Sequence, residues 1–478
     1  MELIFIISIL IISSLINILF KKRIFIECVS VISVFTTLVL STVVAIKVAN
    51  FGFYNPFPFF YIDALGAIMI LLVSFIGFFT VVYSIQYLRK ETAKNIIGFT
   101  RTKQYLILLS LFLTAMFLAI SASNPIFVWI SIEATTLSTA FLISFYNKPS
   151  STEAAWKYLI INSVGLLLGF FGTLLYFTAI HQVGGAVSWH LLLENASNLD
   201  PLLAKIAFVF VLIGYGTKVG FVPMHTWKPD AYSKAPAPIG ALLSGALLPI
   251  AFVIILKFKT ITDVVVGPLF SQHLLIAFGL LSISVAALIM FNSKNYKRLL
   301  AYSSIENAGI MALGFGFGGL AIFAAILHMI YHSCVKAILF FTSGNLLLKY
   351  SSDKIDNVVG ALKILPTTSI FFILGFLIVT GTPPFGIFFT KMSILSVGIK
   401  FYPIISFVAL FFMVIVFIGF FKHVSSMFFG EKPEEIKTGE ESIWLFISPL
   451  ALIITVFILS FYIPPFLNTL INNTVLLY

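Results

Sequence analysis

The chain has 478 residues, of which 60% are hydrophobic and only 10% are charged, and its mean hydropathy is +1.09. Soluble domains carry about 25% charged residues, so this composition excludes a soluble protein and indicates a polytopic membrane protein. The net charge of +11 does not indicate a nucleic-acid partner, because the basic residues lie in short segments between apolar runs and report orientation. The two cysteines, Cys28 and Cys334, lie within apolar runs and form no CxxC motif, which predicts no disulfide, iron–sulfur cluster or zinc site.

Fourteen runs have the length of about 20 mostly apolar residues that is needed to cross a bilayer. The predicted fold class is therefore an all-α polytopic membrane protein with about 14 transmembrane helices. The seventh span is interrupted by Pro223 and the twelfth by Pro383-Pro384, which predicts two broken helices. In chain order, the predicted spans are residues 2–20, 24–48, 61–87, 105–122, 125–146, 158–180, 202–228, 237–258, 273–291, 299–316, 319–348, 366–398, 401–427 and 443–463.

Basic residues in the loops predict the orientation. Placing Lys21-Lys22-Arg23 in the cytoplasm puts 21 of the 29 lysines and arginines inside, five outside and three at membrane depth. This bias predicts a multi-pass protein of the cell membrane with both termini outside. The inside set includes Lys228 and Lys297. The outside set includes Lys257 and Lys259, whose ammonium groups are expected to reach the membrane surface.

Ionisable residues fall inside five of the predicted spans. A charge at bilayer depth costs roughly 2.5–3.5 kcal/mol on insertion scales, so it usually faces a protein interior or a water path and has a partner. A static brace explains a single Glu–Lys pair, but titratable groups in five spans favour ion conduction. The candidate residues are Glu133 in the fifth span, Lys218 in the seventh, Glu306 in the tenth, His328, His332 and Lys336 in the eleventh, and Lys391 in the twelfth.

The spacing of these residues indicates two features. His328, His332 and Lys336 follow one another at intervals of four, which places them on one helical face. The separation from Glu133 to Lys218 is 85 residues, as is that from Glu306 to Lys391.

That equal separation predicts that spans four to eight correspond to spans nine to thirteen. Because five is an odd number, the two units would run in opposite directions, as in the inverted repeats of many transporters. The predicted divisions are residues 1–104 with the first three spans, 105–258 and 273–427 as the two repeats, and 428–478 with the last loop and span.

A proton carrier needs a group whose proton affinity changes with its neighbours. If Glu133 approaches Lys218, the lysine holds its proton, and if Glu133 turns away, the lysine becomes a donor. Water would then pass the proton to His332 or His328 and on to Lys391.

Two further residues follow the interruption at Pro223. His225 and Asp230 are candidates for a proton-uptake funnel, with a helix cap as the structural alternative. No soluble domain, metal site, cofactor site or catalytic centre is predicted on this chain, so any redox chemistry is expected on other subunits.

Four segments resemble the antiporter-like proton-channel subunits of the respiratory complex I superfamily, which includes membrane-bound hydrogenases and multisubunit cation/proton antiporters. Two shorter segments, 132–137 (IEATTL) and 304–309 (SIENAG), resemble the hydrogenase and formate hydrogenlyase branch. The four segments are residues 225–236 (HTWKPDAYSKAP), 297–304 (KRLLAYSS), 332–340 (HSCVKAILF) and 381–386 (GTPPFG).

The resemblance implies roles for several residues. Glu133 and Lys218 would be the coupling pair, His328 and His332 the central relay, and Lys391 the exit residue. The family commonly has a lysine midway along its eighth transmembrane helix, where the eighth span of this chain has Pro249. Either the central proton path relies on the eleventh span and on Glu306, or this subunit conducts protons differently.

The resemblance also implies partners. Other membrane subunits and a peripheral redox arm are expected, with iron–sulfur clusters and nickel–iron or flavin on those partners, and with protons or sodium as the transported ion. The alternatives are the equivalent subunit of a quinone-reducing complex, a cation/proton antiporter subunit without a redox partner, and a non-conducting scaffold.

Overall fold

The computed structural model describes residues 1–178 and 187–478, and within these ranges the chain is built from α-helices joined by short loops. The last two residues of the predicted sixth span, 179–180, and the start of the loop that follows it lie outside the described residues. In the first part of the chain the helices are α1 (Glu2–Leu19), α2 (Arg23–Phe51), α3 (Ala64–Ala93), α4 (Phe99–Ser121), α5 (Pro125–Ile143) and α6 (Pro149–Phe177).

The second part of the chain contains shorter pieces between its long helices. Its helices are α7 (Trp189–Glu194), α8 (Pro201–Val219), α9 (Trp227–Lys234), α10 (Ala237–Leu242), α11 (Leu248–Val266), α12 (Pro268–Met290), α13 (Tyr296–Phe317), α14 (Leu320–Tyr350), α15 (Ala361–Ile364), α16 (Pro366–Thr380), α17 (Gly386–Phe401), α18 (Pro403–Phe428), α19 (Ile447–Phe461) and α20 (Pro465–Val475).

These helices confirm the predicted fold class. Among the described residues, twelve helices are long and apolar enough to cross a membrane. The other two predicted spans are α13, which is long but rich in polar residues, and the pair α16 and α17, which is split into two shorter helices. The division of the chain into repeats at residues 105–258 and 273–427, between segments 1–104 and 428–478, remains a prediction.

Several helices begin where the sequence places a capping side chain before an apolar run. The Asn124 carboxamide accepts a hydrogen bond from the Ile126 N–H, and Pro125 occupies the first helical position of α5. Asp200 caps α8 in the same way, with Pro201 after it. Such caps satisfy N–H groups that have no partner within the helix, and proline at this position costs no hydrogen bond.

The two predicted broken helices are confirmed. Helix α8 ends at Gly220, whose φ of +83° is left-handed, and the chain passes Pro223 before it resumes as α9. Helix α16 ends at Gly381, with φ of +87°, and the chain resumes as α17. Glycine is favoured at both ends because it has no Cβ to oppose a left-handed backbone. We refer to residues 220–226 as the first break and residues 381–385 as the second break.

The centre of the molecule is formed by α14 and by the helix that contains α10 and α11. A π-helical turn, Leu243–Leu247, joins α10 to α11, and Pro249 is the second residue of α11. The most apolar stretch of this composite helix is 100% buried and that of α14 is 94% buried, whereas those of α1, α18 and α19 are at most 33% buried. His328, His332 and Lys336 of α14 therefore lie in the protein interior rather than against lipid.

Candidate ion-translocation site

The best-defined polar contact in this interior joins α13 to α17. The Lys391 ammonium lies 3.1 Å from a Glu306 carboxylate oxygen, and both side chains are almost fully buried. Lys391 Nζ also donates to the carbonyl oxygens of Val379 and Thr380, at 3.2 and 3.3 Å. These two residues end α16, so the second break supplies carbonyl acceptors that have no partner within the helix.

His328 extends this ion pair into a row of hydrogen bonds. Its Nδ1 lies 2.9 Å from Thr390 Oγ1 on α17, and its Nε2 lies 3.0 Å from Asn307 Oδ1 on α13. The Asn307 amide in turn donates to the second carboxylate oxygen of Glu306. Five side chains are thus linked from Thr390 to Lys391, and the structure brings together Glu306, His328 and Lys391 among the predicted residues.

His332 and Lys336 occupy the next two turns of α14, and both are fully buried. The Lys336 ammonium donates to the Leu300 carbonyl of α13 at 3.0 Å. Neither ring nitrogen of His332 has a hydrogen-bond partner in the described part of the chain. An imidazole without a fixed partner can accept or donate a proton as its surroundings change, which suits a relay better than a brace.

Lys218 lies in a separate polar cluster on α8. Its ammonium donates to Thr136 Oγ1 at 2.8 Å and to the Tyr158 hydroxyl at 2.6 Å, and it lies 4.7 Å from the centre of the Tyr158 ring. The Tyr158 hydroxyl is also 2.6 Å from Thr139 Oγ1. The lysine therefore contacts α5 and α6 through neutral partners.

Glu133 is not in contact with Lys218. One of its carboxylate oxygens accepts a 2.7 Å hydrogen bond from Ser163 Oγ, and the other is buried without a partner in the described residues. Thr136, which binds the lysine, lies one helical turn from Glu133 on α5. The structure therefore has Glu133 turned away from Lys218, one of the two arrangements predicted for this pair.

The two candidates for proton uptake lie apart from each other. His225 is within the first break and largely buried, with its ring centre 6.2 Å from that of Tyr302, and its Nδ1 has no partner among the described residues. Asp230 is partly exposed on α9 and forms ion pairs with Lys157 at 3.4 Å and Arg298 at 3.2 Å. Asp230 thus joins α6, α9 and α13 at a surface.

Three lysines lie elsewhere than the sequence predicted. Lys228 and Lys297, counted among the basic residues of the cytoplasmic side, are fully buried in the protein. Lys228 donates to the Val219 carbonyl at 2.7 Å, and Lys297 donates to those of Ser233 and Ala235 at 2.9 and 2.8 Å. Lys259, expected to reach the membrane surface, is buried and paired with Asp263 on the next turn of α11. Each of these lysines is buried because the fold supplies an oxygen acceptor.

Chemically, the interior can hold and transfer protons. Within residues 1–178 and 187–478 no direct hydrogen bond joins Lys218 to the histidines of α14, so a transfer between them requires other groups or water. Lys228, His332 and Lys336 are further buried titratable groups of this interior. No group of three or more metal-ligating side chains occurs in the same residue ranges.

Comparisons with known proteins agree with this architecture. A family model described as "NADH:quinone oxidoreductase/Mrp antiporter, TM" matches residues 122–419, and a model of the N-terminus of complex I chain 5 matches residues 55–95. A hydrogenase-4 component F homolog from Methylacidiphilum infernorum is 39% identical over 71% of this chain and 73% of that protein. Chloroplastic NAD(P)H-quinone oxidoreductase subunit 5 from Malvaviscus arboreus is 30% identical over 74% of this chain, which spans only half of that protein.

Solved structures share the fold over nearly the whole chain. A chain of the membrane-bound sulfane sulfur reductase, an archaeal respiratory membrane complex, superposes with a TM-score of 0.88, 22% identity and coverage of 99% of this chain and 97% of that one. A chain of the Mrp complex from Dietzia gives a TM-score of 0.86 at 18% identity, covering 99% and 96%.

Proposed function

Because the chain belongs to the family of antiporter-like membrane subunits of hydrogenases, complex I and Mrp antiporters, we propose that it translocates protons in a redox-driven complex of hydrogenase type. The hydrogenase branch is favoured by the 39% identity with the hydrogenase-4 component F homolog. The equivalent role in a quinone-reducing complex is the second candidate, supported by the 30% identity with the chloroplastic subunit 5. Translocation of sodium in place of protons is compatible with the same residues.

The observation that carries this proposal is the buried row Thr390–His328–Asn307–Glu306–Lys391. Its members come from three helices, every side chain is almost fully buried, and each is hydrogen-bonded to the next. A charged pair at bilayer depth is expensive, and such groups normally mark ion pathways. His332, whose ring nitrogens have no partner among the residues that the structure describes, provides an adjoining acceptor on α14.

Transfer would begin at Lys218. In the arrangement described, its ammonium is held by a threonine and a tyrosine, while Glu133 is bound to Ser163. Rotation of the Glu133 side chain toward Lys218 would add an opposite charge and favour the protonated lysine, and its return to Ser163 would favour release. The proposed cycle alternates between these two arrangements, and the proton leaves through the α14 histidines toward Lys391.

The redox chemistry is assigned to partners. We propose other membrane subunits and a peripheral arm with iron–sulfur clusters and nickel–iron, or flavin in the quinone-reducing alternative, in a cell membrane where both termini of this chain face outside. Purification of the complex in mild detergent, with identification of every partner by mass spectrometry, tests this assignment. A nickel–iron subunit supports the hydrogenase type, an NADH-oxidising flavin subunit supports the second candidate, and purely membrane partners would contradict both.

Conduction itself is tested by Lys218→Ala in the whole complex. Inverted membrane vesicles are energised with the electron donor of the complex, and internal acidification is followed with a pH-sensitive dye. We expect the variant complex to assemble, because the partners of Lys218 in the described part of the chain are neutral hydroxyls that can rearrange. It should lose proton translocation, because alanine carries no proton. Normal acidification in an assembled Lys218→Ala complex would refute the proposed function.

A further inference from the structure

The two breaks hold a lysine in the same way. A methyl group added to Gly220 would lie 2.7 Å from Lys228 Cδ, and one added to Gly381 would lie 3.1 Å from Lys391 Cδ. In each break, therefore, the aliphatic part of a lysine from the second half-helix lies directly against the left-handed glycine that ends the first. Lys228 is eight residues after its glycine and Lys391 is ten residues after its own.

The two ammonium groups also have equivalent partners. Lys228 Nζ donates to the carbonyl of Val219, the last residue of α8, and Lys391 Nζ donates to that of Thr380, the last residue of α16. Carbonyls at a helix C-terminus lack partners within the helix and carry the negative end of its dipole, so they stabilise a buried cation.

Lys218 does not share this geometry. It precedes Gly220 in α8 and reaches side chains of α5 and α6. The equal separations in the sequence pair Lys218 with Lys391, whereas the geometry of the breaks pairs Lys228 with Lys391. Lys228 and Lys391 differ in their other partner. Lys391 is ion-paired with Glu306, whereas the Lys228 ammonium lies 5.6 Å from the centre of the Tyr232 ring.

We propose that Lys228 is the counterpart of Lys391 in the first half of the chain and carries the transported proton between Lys218 and the His332–Lys336 face of α14. This inference rests on the proposed function. The Lys228 ammonium releases one proton toward α14 and its neutral amine accepts the next from the Lys218 side, so the group returns to its starting state. The neutral amine can still donate an N–H to the Val219 carbonyl, which preserves the break throughout the cycle.

Lys228 also replaces the lysine that the family commonly has in its eighth transmembrane helix, which corresponds here to α10 and α11. Pro249 stands where the family resemblance implies a lysine, two residues after the π-helical turn. Lys228 brings an ammonium group into the interior from the adjoining short helix α9, which is separated from α10 only by residues 235–236. The chain thus has a titratable group in its centre although α11 supplies none there.

The test compares Lys228→Gln with Lys228→Met in the intact complex. Glutamine keeps an N–H donor for the Val219 carbonyl but has no proton to transfer, whereas methionine keeps only the volume of the side chain. The readout is the initial rate of proton translocation in energised inverted vesicles, normalised to the rate of electron transfer. The exposed Lys21, changed to glutamine, is the matched control, and Lys218→Ala is measured in the same preparation.

We expect both Lys228 variants to assemble and to translocate protons about a hundredfold more slowly or worse, because a positioned proton-transfer group typically contributes about 10²–10⁴-fold. Lys21→Gln should behave as the wild type. Normal translocation in Lys228→Gln, with loss in Lys218→Ala, would show that Lys228 only caps α8 and would overturn the inference alone. Normal translocation in all variants would instead refute the proposed function, and failure of both Lys228 variants to assemble would assign the residue a structural role.

Discussion

The ion pair between Glu306 and Lys391 gives a quantitative prediction. At their 3.1 Å separation, two unit charges attract each other by about 5 kcal/mol at an effective dielectric constant of about 20. Removing one member of a buried pair typically costs about 3–5 kcal/mol, because it leaves the other charge uncompensated. Glu306→Gln keeps an acceptor for Asn307 but removes the negative charge, so we expect a loss within this range. The Val379 and Thr380 carbonyls remain bound to the lysine and favour the lower end.

The double variant Glu306→Gln, Lys391→Met removes both charges. Because replacing both members of a buried pair is often neutral, we expect its stability to return to within about 1 kcal/mol of the wild type. Denaturant titrations of the purified subunit in mixed micelles measure both values, and vesicle acidification should be absent in the single and the double variants alike. If the double variant lost as much unfolding free energy as the two single variants together, the charges would not interact. Restored acidification would show that the two charges are not used for transport.

Two further changes test packing and burial. A methyl group on Gly214 would overlap the backbone of Gly169 and lie 2.8 Å from the Gly165 carbonyl oxygen, so Gly214→Ala should destabilise the subunit by about 1–3 kcal/mol. Gly98→Ala is the control and should leave stability unchanged, because nothing lies within 4 Å of the added methyl group. Equal effects of the two substitutions would contradict the close contact of α6 with α8. Buried Glu91 accepts a 2.5 Å hydrogen bond from Tyr146 and has one unpartnered oxygen among the described residues. We expect Glu91→Gln to leave the denaturant midpoint unchanged or raised, because it relieves a desolvated charge; a large fall would indicate an unseen partner for the carboxylate.

The sequence predicted the fold well because the bilayer imposes strong rules. Every backbone polar group must be satisfied within the membrane, so long apolar runs can only be helices, and proline within such a run marks a break. All fourteen runs correspond to helices, including both broken ones. Periodicity also placed His328, His332 and Lys336 on one face, and the structure turns His328 and Lys336 toward α13.

Local hydropathy could not locate the lysines near the breaks. Lys228 and Lys297 lie among polar residues, so a charge-counting rule assigns them to loops, yet both are buried because the short helix α9 folds against α13. A signal was available in the sequence, because Lys228 lies two residues after a break, and irregular backbone at membrane depth must line a cavity or be buried in protein. The relation of Glu133 to Lys218 could not be predicted either, because a spacing of 85 residues fixes the two helices but not the side-chain rotamers.

The buried lysines share a means of stabilisation that bears on how transport could work. Lys228, Lys297 and Lys391 all donate to carbonyls at or beside the C-terminal end of a short or broken helix. A lysine held this way does not depend entirely on a carboxylate to remain in the interior. If Glu306 moved away, Lys391 would still be held by the Val379 and Thr380 carbonyls. In the proposed function, the carbonyls at the helix ends would fix Lys228 and Lys391 in place, and movement of an acidic side chain would change whether a proton is held or released.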